Sequence, residues 1–171
     1  NPTPNCGPAT SPATAVTIGG GLTVSAGSYS PVCVNAAAVA LAGTPAGGTF
    51  SGTGVSGNSF NPAVGAGTYT INYSYTDLAS GCSGSNSTTI TVNPLPTVNA
   101  GTYSAVCANS ALVNLTGSPA GGTFSGTGVS GNTFNPSVGT GTYSINYSYS
   151  SGGCSNSAST TITVNPLPSV S

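Results

Sequence analysis

The chain has almost no charge. Its 171 residues contain no Lys, Arg, His, Glu, Met or Trp, and Asp77 is the only charged side chain. Catalysis by proton transfer, nucleophilic attack or a bound metal needs a titratable base, an activated nucleophile or clustered ligands. With one carboxylate and no imidazole, these chemistries have almost nothing to work with, and the chain reads as a non-enzyme that needs no cofactor. Metal sites draw on clustered His, Cys or carboxylates, and no such cluster is written here. Without Lys or Arg, phosphate cannot be neutralised, which excludes nucleic acid as a partner. A polybasic membrane contact is excluded for the same reason. No apolar run reaches the length of a membrane span, so membrane insertion is not expected.

Scarce charge and abundant small residues resemble the composition of disordered chains, but such chains also lack aromatic and β-branched residues. Here Val, Ile, Thr, Tyr and Phe recur at regular intervals between Gly, Pro and Asn, a composition of strands and turns.

A long segment also occurs twice. Residues 47–75 (GGTFSGTGVSGNSFNPAVGAGTYTINYSY) return at 121–149 with substitutions only at Ser59/Thr133, Ala63/Ser137, Ala66/Thr140 and Thr70/Ser144. Phe50 and Phe124 are 74 positions apart, and so are Cys33 and Cys107. A period of that length is one small domain and not one coil of a solenoid. The expected organisation is an N-terminal strand segment over 1–21, a first repeat over 22–96 and a second over 97–171.

Within a repeat, the stretches 37–43 and 111–117 read as half-buried strands, 48–52 as a short strand around Phe50, and 54–58 as a turn. The clearest strand is 68–75. Tyr69, Ile71, Tyr73 and Tyr75 fall on one face, Thr70, Asn72 and Ser74 on the other. The last strand, 87–92, sets Thr88, Ile90 and Val92 against Ser87, Thr89 and Thr91. Asn93-Pro94-Leu95-Pro96 closes the module, and Asn165-Pro166-Leu167-Pro168 repeats the closure. Six or seven short strands with turn signals between them predict an all-β fold, a tandem pair of immunoglobulin-like β-sandwich domains. Gly67-Thr68-Tyr69 and Gly141-Thr142-Tyr143 sit where that fold places a tyrosine corner, with Ile71 and Ile145 in the position of the core cysteine. Pro-Leu-Pro linkers are short and stiff, so an extended rod is expected.

Ala15, Val16, Thr17 and Ile18 align with the last strand of a repeat. They read as the final strand of a preceding domain, as a strand donated to another subunit, or as a leader packed on the first repeat.

Five cysteines occupy related places. Cys33 and Cys107 follow Tyr-Ser-x-Val, Cys82 and Cys154 follow the Tyr-Ser strand and a turn, and Cys6 precedes the opening segment. Small secreted domains often add disulfides to a limited core, which points to an extracellular compartment. The expected pairs are Cys33–Cys82 and Cys107–Cys154. The alternative joins Cys33 to Cys154, because an immunoglobulin-like topology puts the two cysteines of one repeat at opposite ends. Both schemes leave Cys6 to an outside partner.

Other candidate sites are few. Tyr73, Tyr75, Tyr147 and Tyr149 are candidates for stacking on sugar rings, weighed against a role in the core. Asp77 is a candidate calcium ligand, weighed against a turn former. Asn72, Asn86, Asn114 and Asn146 lie in Asn-x-Ser/Thr sequons.

The string GGTFSGTGVSGNTFNP, followed by GTYSINYSY, a cysteine turn, STTITV and NPLP, resembles repeats of very large secreted proteins of Bacteroidetes. These are the PKD-like and immunoglobulin-like modules of gliding adhesins and other type IX secreted surface proteins. The resemblance covers about residues 22 to 168. It implies an immunoglobulin-like sandwich, export to the cell surface, and a stalk, adhesive or filament-forming role. The expected function is a structural repeat unit of an extracellular filament or adhesin stalk, with copies of itself as partners. The alternative is a carbohydrate-binding accessory module with surface glycans as partners. The near absence of charge departs from that family, whose turns often carry Asp or Lys.

Overall fold

The computed structural model describes residues 22–169. The chain divides into two compact units, Asn1–Pro94 and Leu95–Ser171.

In the first unit, β6 (Gly67–Thr76) and β7 (Ser83–Asn93) form a long antiparallel hairpin. On one side, β3 (Thr49–Ser51) pairs with β6 through Phe50 and Tyr73; on the other, β1 (Val32–Cys33) runs parallel to the end of β7. This four-stranded sheet has the order β1-β7-β6-β3. A second sheet has the order β2-β5-β4, built from β2 (Val39–Ala40), β4 (Val55–Ser56) and β5 (Ser59–Phe60). The second unit repeats the plan. There β8 (Val106–Cys107), β14 (Cys154–Asn165), β13 (Gly141–Ser151) and β10 (Thr123–Ser125) make the four-stranded sheet. β9 (Val113–Asn114), β12 (Thr133–Phe134) and β11 (Val129–Ser130) make the three-stranded one. Two sheets of this order, with the first short strand parallel to the last long one, are an immunoglobulin-like β-sandwich.

Alternation along the long strands fills the space between the sheets. Ile71, Tyr73, Ile90 and Val92 are buried, and with Leu41 and Phe60 they make the core of the first unit. Leu115, Phe134, Ile145, Tyr147, Ile162 and Val164 do the same in the second. Burying each such side chain contributes roughly 1.5–3 kcal/mol. Ile71 and Ile145, at 0% exposure, occupy the place expected for them.

The expected turn at 54–58 proves to contain β4: Val55 and Ser56 pair back on Phe60 and Ser59. Two residues between glycines carry too little pattern to read as a strand. The opening of each repeat makes a single bridge, Ser25 to Thr44 and Asn99 to Ser118. Tyr29 fixes the first of these openings: its Oη donates to Ala26 O (2.9 Å) and accepts from Ala42 N (3.1 Å). Tyr103 makes the equivalent pair with Ala100 O (2.8 Å) and Thr116 N (3.1 Å).

Ahead of β6, Asn61 caps a single turn of 3-10 helix, Pro62–Val64, by accepting from Ala63 N at 3.0 Å. The chain then turns at Gly65, whose carbonyl accepts from Tyr69 Oη at 3.1 Å. Tyr143 repeats the bond to Gly139 O at 3.1 Å. The hydroxyl thus reaches back four residues and ties the start of the long strand to the loop before it, which is the tyrosine corner.

Candidate functional site

The four candidate stacking tyrosines separate into two kinds. Tyr73 and Tyr147 are 2% exposed, so their rings belong to the core and cannot stack on a sugar. Two glycines make room for each ring. A Cβ on Gly43 or Gly48 would lie 2.5 Å from the Tyr73 ring. Phe50 packs on Tyr73 at 4.5 Å between centroids, and Phe124 packs on Tyr147 at the same distance. The phenol is satisfied as well: Tyr73 Oη accepts from Gly48 N (2.8 Å) and donates to Pro45 O, whose peptide bond with Thr44 is cis. Alternation placed both tyrosines on the inward face, and only the folding of segments 43–48 and 117–122 over the rings shows how completely they are covered. Tyr75 and Tyr149 are half-buried near the hairpin ends.

Asp77 opens the loop between β6 and β7. Its Oδ1 accepts from Ala79 N (3.0 Å) and its Oδ2 from Ser80 Oγ (2.8 Å). The Ser80 hydroxyl first, and the Ala79 amide second, hold this carboxyl below the ordinary carboxylate range. Both oxygens therefore serve the turn, and no cluster of three metal-ligating side chains occurs among the described residues. Leu78 beside it is 93% exposed. The four sequon asparagines are exposed. Two of them have structural duties: Asn86 Oδ1 accepts from Ala26 N (3.2 Å), and Asn146 Oδ1 accepts from Ser159 Oγ (2.6 Å).

The cysteines overturn the expected pairing within a repeat. Cys33 stands in register with Asn93 at one end of β7, whereas Cys82 precedes Ser83 at the other. The ten residue steps from Ser83 to Asn93 span about 33 Å at 3.3 Å per residue. A disulfide needs Cα atoms within roughly 7 Å. Cys107 stands against Asn165, and Cys154 begins the same strand, which separates them as widely. Cys33, Cys82 and Cys154 are disulfide-bonded, and Cys107 is an exposed free thiol. Neither Cys33–Cys82 nor Cys107–Cys154 therefore forms. Cys6 and the candidate donor residues Ala15, Val16, Thr17 and Ile18 lie outside the described residues.

What the structure does present is a charge-free sheet surface. The outward face of β6 and β7 carries Thr68, Thr70, Asn72, Ser74 and Thr76 opposite Thr91, Thr89, Ser87, Ser85 and Ser83. The second unit sets Thr142, Ser144, Asn146, Ser148 and Ser150 against Thr163, Thr161, Ser159, Ser157 and Ser155. Cross-strand hydroxyl bonds tie parts of this face together, as between Thr49 and Ser74 (2.9 Å) and between Thr123 and Ser148 (3.1 Å). Sequence periodicity identified the face, but which strands border it depends on the sheet order. No helix among the described residues is long and apolar enough to cross a membrane.

No protein-family model matches the chain, and no curated protein sequence matches it. Among solved structures it is similar to the I67–I69 fragment of the titin I-band, at 15% identity and a TM-score of 0.31. That alignment covers 81% of this chain and 63% of the titin fragment. The titin Z1Z2 domains in complex with telethonin align at 11% identity and a TM-score of 0.25, over 82% of this chain and 93% of that one. At these scores the description of the fold rests on the strand order and the tyrosine corner.

Proposed function

We propose that this chain is a structural repeat unit of an extracellular filament or cell-surface adhesin stalk, assembling with copies of itself through strand edges and domain contacts. The observation that carries the reading is the absence of charged side chains from the strands of the described residues. Natural sheets guard their edges with Lys, Pro, bulges or covering loops. The long strands here offer hydroxyls and amides, and a net charge of −1 gives little repulsion between copies. The candidate donor strand, Ala15 to Ile18, belongs to the same reading: pairing with a neighbour would satisfy its backbone and bury Val16 and Ile18.

The bonded states of Cys33 and Cys154, with the pairs inside a repeat excluded, support the alternative scheme in which these two bond to each other. Disulfide bonding also supports an oxidising, extracellular site. Non-reducing peptide mapping with a protease other than trypsin, which has no site here, tests the pairing. The carbohydrate-binding alternative loses Tyr73 and Tyr147 to the core.

The test of assembly is electron microscopy and sedimentation of the intact protein, with a truncation lacking residues 1–18. The expected result is filaments from the intact chain, and short or no filaments from the truncation with both units still folded. Normal polymers from the truncated chain would remove strand donation. An intact chain that stays monomeric at high concentration, without glycans on it, would remove the filament itself.

A further inference from the structure

The long last strand of each sheet is paired by a strand along the whole of one side. On the other it is paired only by two residues at its end, with the segment ahead of the first strand of its own unit reaching Gly84 and Asn86 in β7 and Asn156 in β14. β14 pairs with β13 from Cys154 to Val164, but with β8 only at Val164 and Asn165. β7 pairs with β6 from Ser83 to Val92, but with β1 only at Val92 and Asn93. Among the described residues, 155–162 of β14 and 83–90 of β7 have no strand on the second side.

The register shows which groups face that opening. The carbonyl of Asn165 accepts from Ala108 N at 3.1 Å, so Asn165 turns its backbone groups toward the β8 side. Amide and carbonyl of every second residue point the same way along a strand. Ser155, Ser157, Ser159 and Thr161 therefore present their backbone groups to the open side, while Thr163 faces Val106 of β8. The Ser157 amide donates to Asn156 Oδ1 at 2.9 Å, an oxygen standing where a neighbouring strand's carbonyl would accept, while Asn156 Nδ2 donates to Pro96 O at 2.9 Å. The same reasoning from Asn93 O, which accepts from Val34 N at 3.0 Å, turns Ser83, Ser85, Ser87 and Thr89 to the open side of β7, while Thr91 faces Val32 of β1.

We propose that each of these edges pairs antiparallel with the same edge of a second copy about a two-fold axis, centred on Ser159 in β14 and on Ser87 in β7. The proposal rests on the filament reading and supplies its contact. The edge sequence argues for self-pairing. About Ser159, Ser157 meets Thr161; about Ser87, Ser85 meets Thr89. Every outward pair is hydroxyl to hydroxyl, a favourable cross-strand combination. No Lys, Pro or charge interrupts either stretch. A two-fold contact alone closes at a dimer, but a chain with two such edges joins a different neighbour through each and goes on growing.

The experiment uses the full chain with Ser159→Lys in one preparation and Ser159→Asp in another, studied by sedimentation velocity. Lys opposes Lys, or Asp opposes Asp, at the centre of the contact, and like charges directly opposite destabilise a strand pair. Each variant alone should shift from polymer toward dimers held by the β7 edge, with polymer reduced up to about fivefold. An equimolar mixture should recover polymer, because Lys then faces Asp. Ser159 also gives up an exposed bond to Asn146, so thermal melts establish that both variants fold; Ser87→Lys and Ser87→Asp repeat the test on β7 if they do not. Polymer from either variant alone at the parent's level overturns the edge. Loss of polymer in both variants and in their mixture overturns self-pairing and assigns the edge to a different strand, such as 15–18 of another copy. A parent that forms no polymer overturns the filament reading itself.

Discussion

The two long hairpins of this chain have nearly the same strands and different tips. β6 passes to β7 through a six-residue loop, 77–82, with Asp77 at its start and Leu78 exposed. Asp77 organises that loop with its carboxylate, while its backbone amide bonds Cys82 O at 2.8 Å and its carbonyl accepts from Gly81 N at 2.7 Å. β13 passes to β14 through Gly152 and Gly153 alone, at φ 58° and 79°. Positive φ at both central residues is the type I′ turn, whose twist matches the strands it joins. A side-chain scaffold and a backbone turn thus end equivalent strands. Below the tips, the segment that packs against Tyr73 or Tyr147 is nearly invariant between the repeats. Identity holds where a methyl group would strike a ring, as at Gly43 and Gly48 beside Tyr73 and at Gly117 and Gly122 beside Tyr147.

That contrast can be broken at its strong end first. Phe60→Ala and Phe134→Ala each empty a fully buried site and should cost about 3–5 kcal/mol, by the same amount in each repeat. Denaturant unfolding of the two variants checks this, and unequal losses would mean that the two cores are not equivalent. Gly48→Ala and Gly122→Ala come next. The new methyl would lie 2.3 Å from Ser74 O in the first case and 2.4 Å from Ser148 O in the second, both backbone atoms. Overpacking of this kind should destabilise each unit by about 1–3 kcal/mol, read as a lowered denaturation midpoint. Tyr69→Phe and Tyr143→Phe remove the corner hydrogen bonds to Gly65 and Gly139. Each should cost about 0.5–1.5 kcal/mol, and a larger loss in one repeat would show that the corner works differently there.

The smallest effect separates the tips. Asp77 is the only carboxylate side chain, and its pKa lies below the ordinary carboxylate range in the folded state. A depressed folded pKa contributes stability above the unfolded value, and that stability is lost as pH falls through the folded value. The melting temperature should therefore vary by less than about 5 °C between roughly pH 5 and 8. In acid below about pH 4 the first unit alone should weaken slightly. Asp77→Ala should remove that acid dependence and leave the second unit unchanged. Melts followed across pH in both proteins test it, and a large acid transition in the second unit would contradict it.

The cysteines show where reading along the chain stops. Matching positions in the repeats made Cys33–Cys82 and Cys107–Cys154 natural pairs. Sequence gives a cysteine's neighbours in the chain, whereas pairing depends on which end of the sheet each one reaches. The parallel contact of β1 with the far end of β7 decides that, and it forms between residues some sixty positions apart. The strand β4 escaped notice for a related reason: two residues have no period, and only the partner Phe60 makes them a strand.

Much of the rest follows from the amino-acid order alone. Alternation of Tyr69, Ile71, Tyr73 and Tyr75 with small polar residues sets the long strand and its inward face. Gly67-Thr68-Tyr69 sets the corner. The near absence of charged side chains is likewise written in the residue order. These properties are local, because each depends on residue type and a spacing of two to four positions. Tertiary structure decided how deeply Tyr73 is buried, which cysteines come within reach, and which edge of the sheet lies open. Those depend on strand order, set by burial and backbone pairing between segments far apart in the chain.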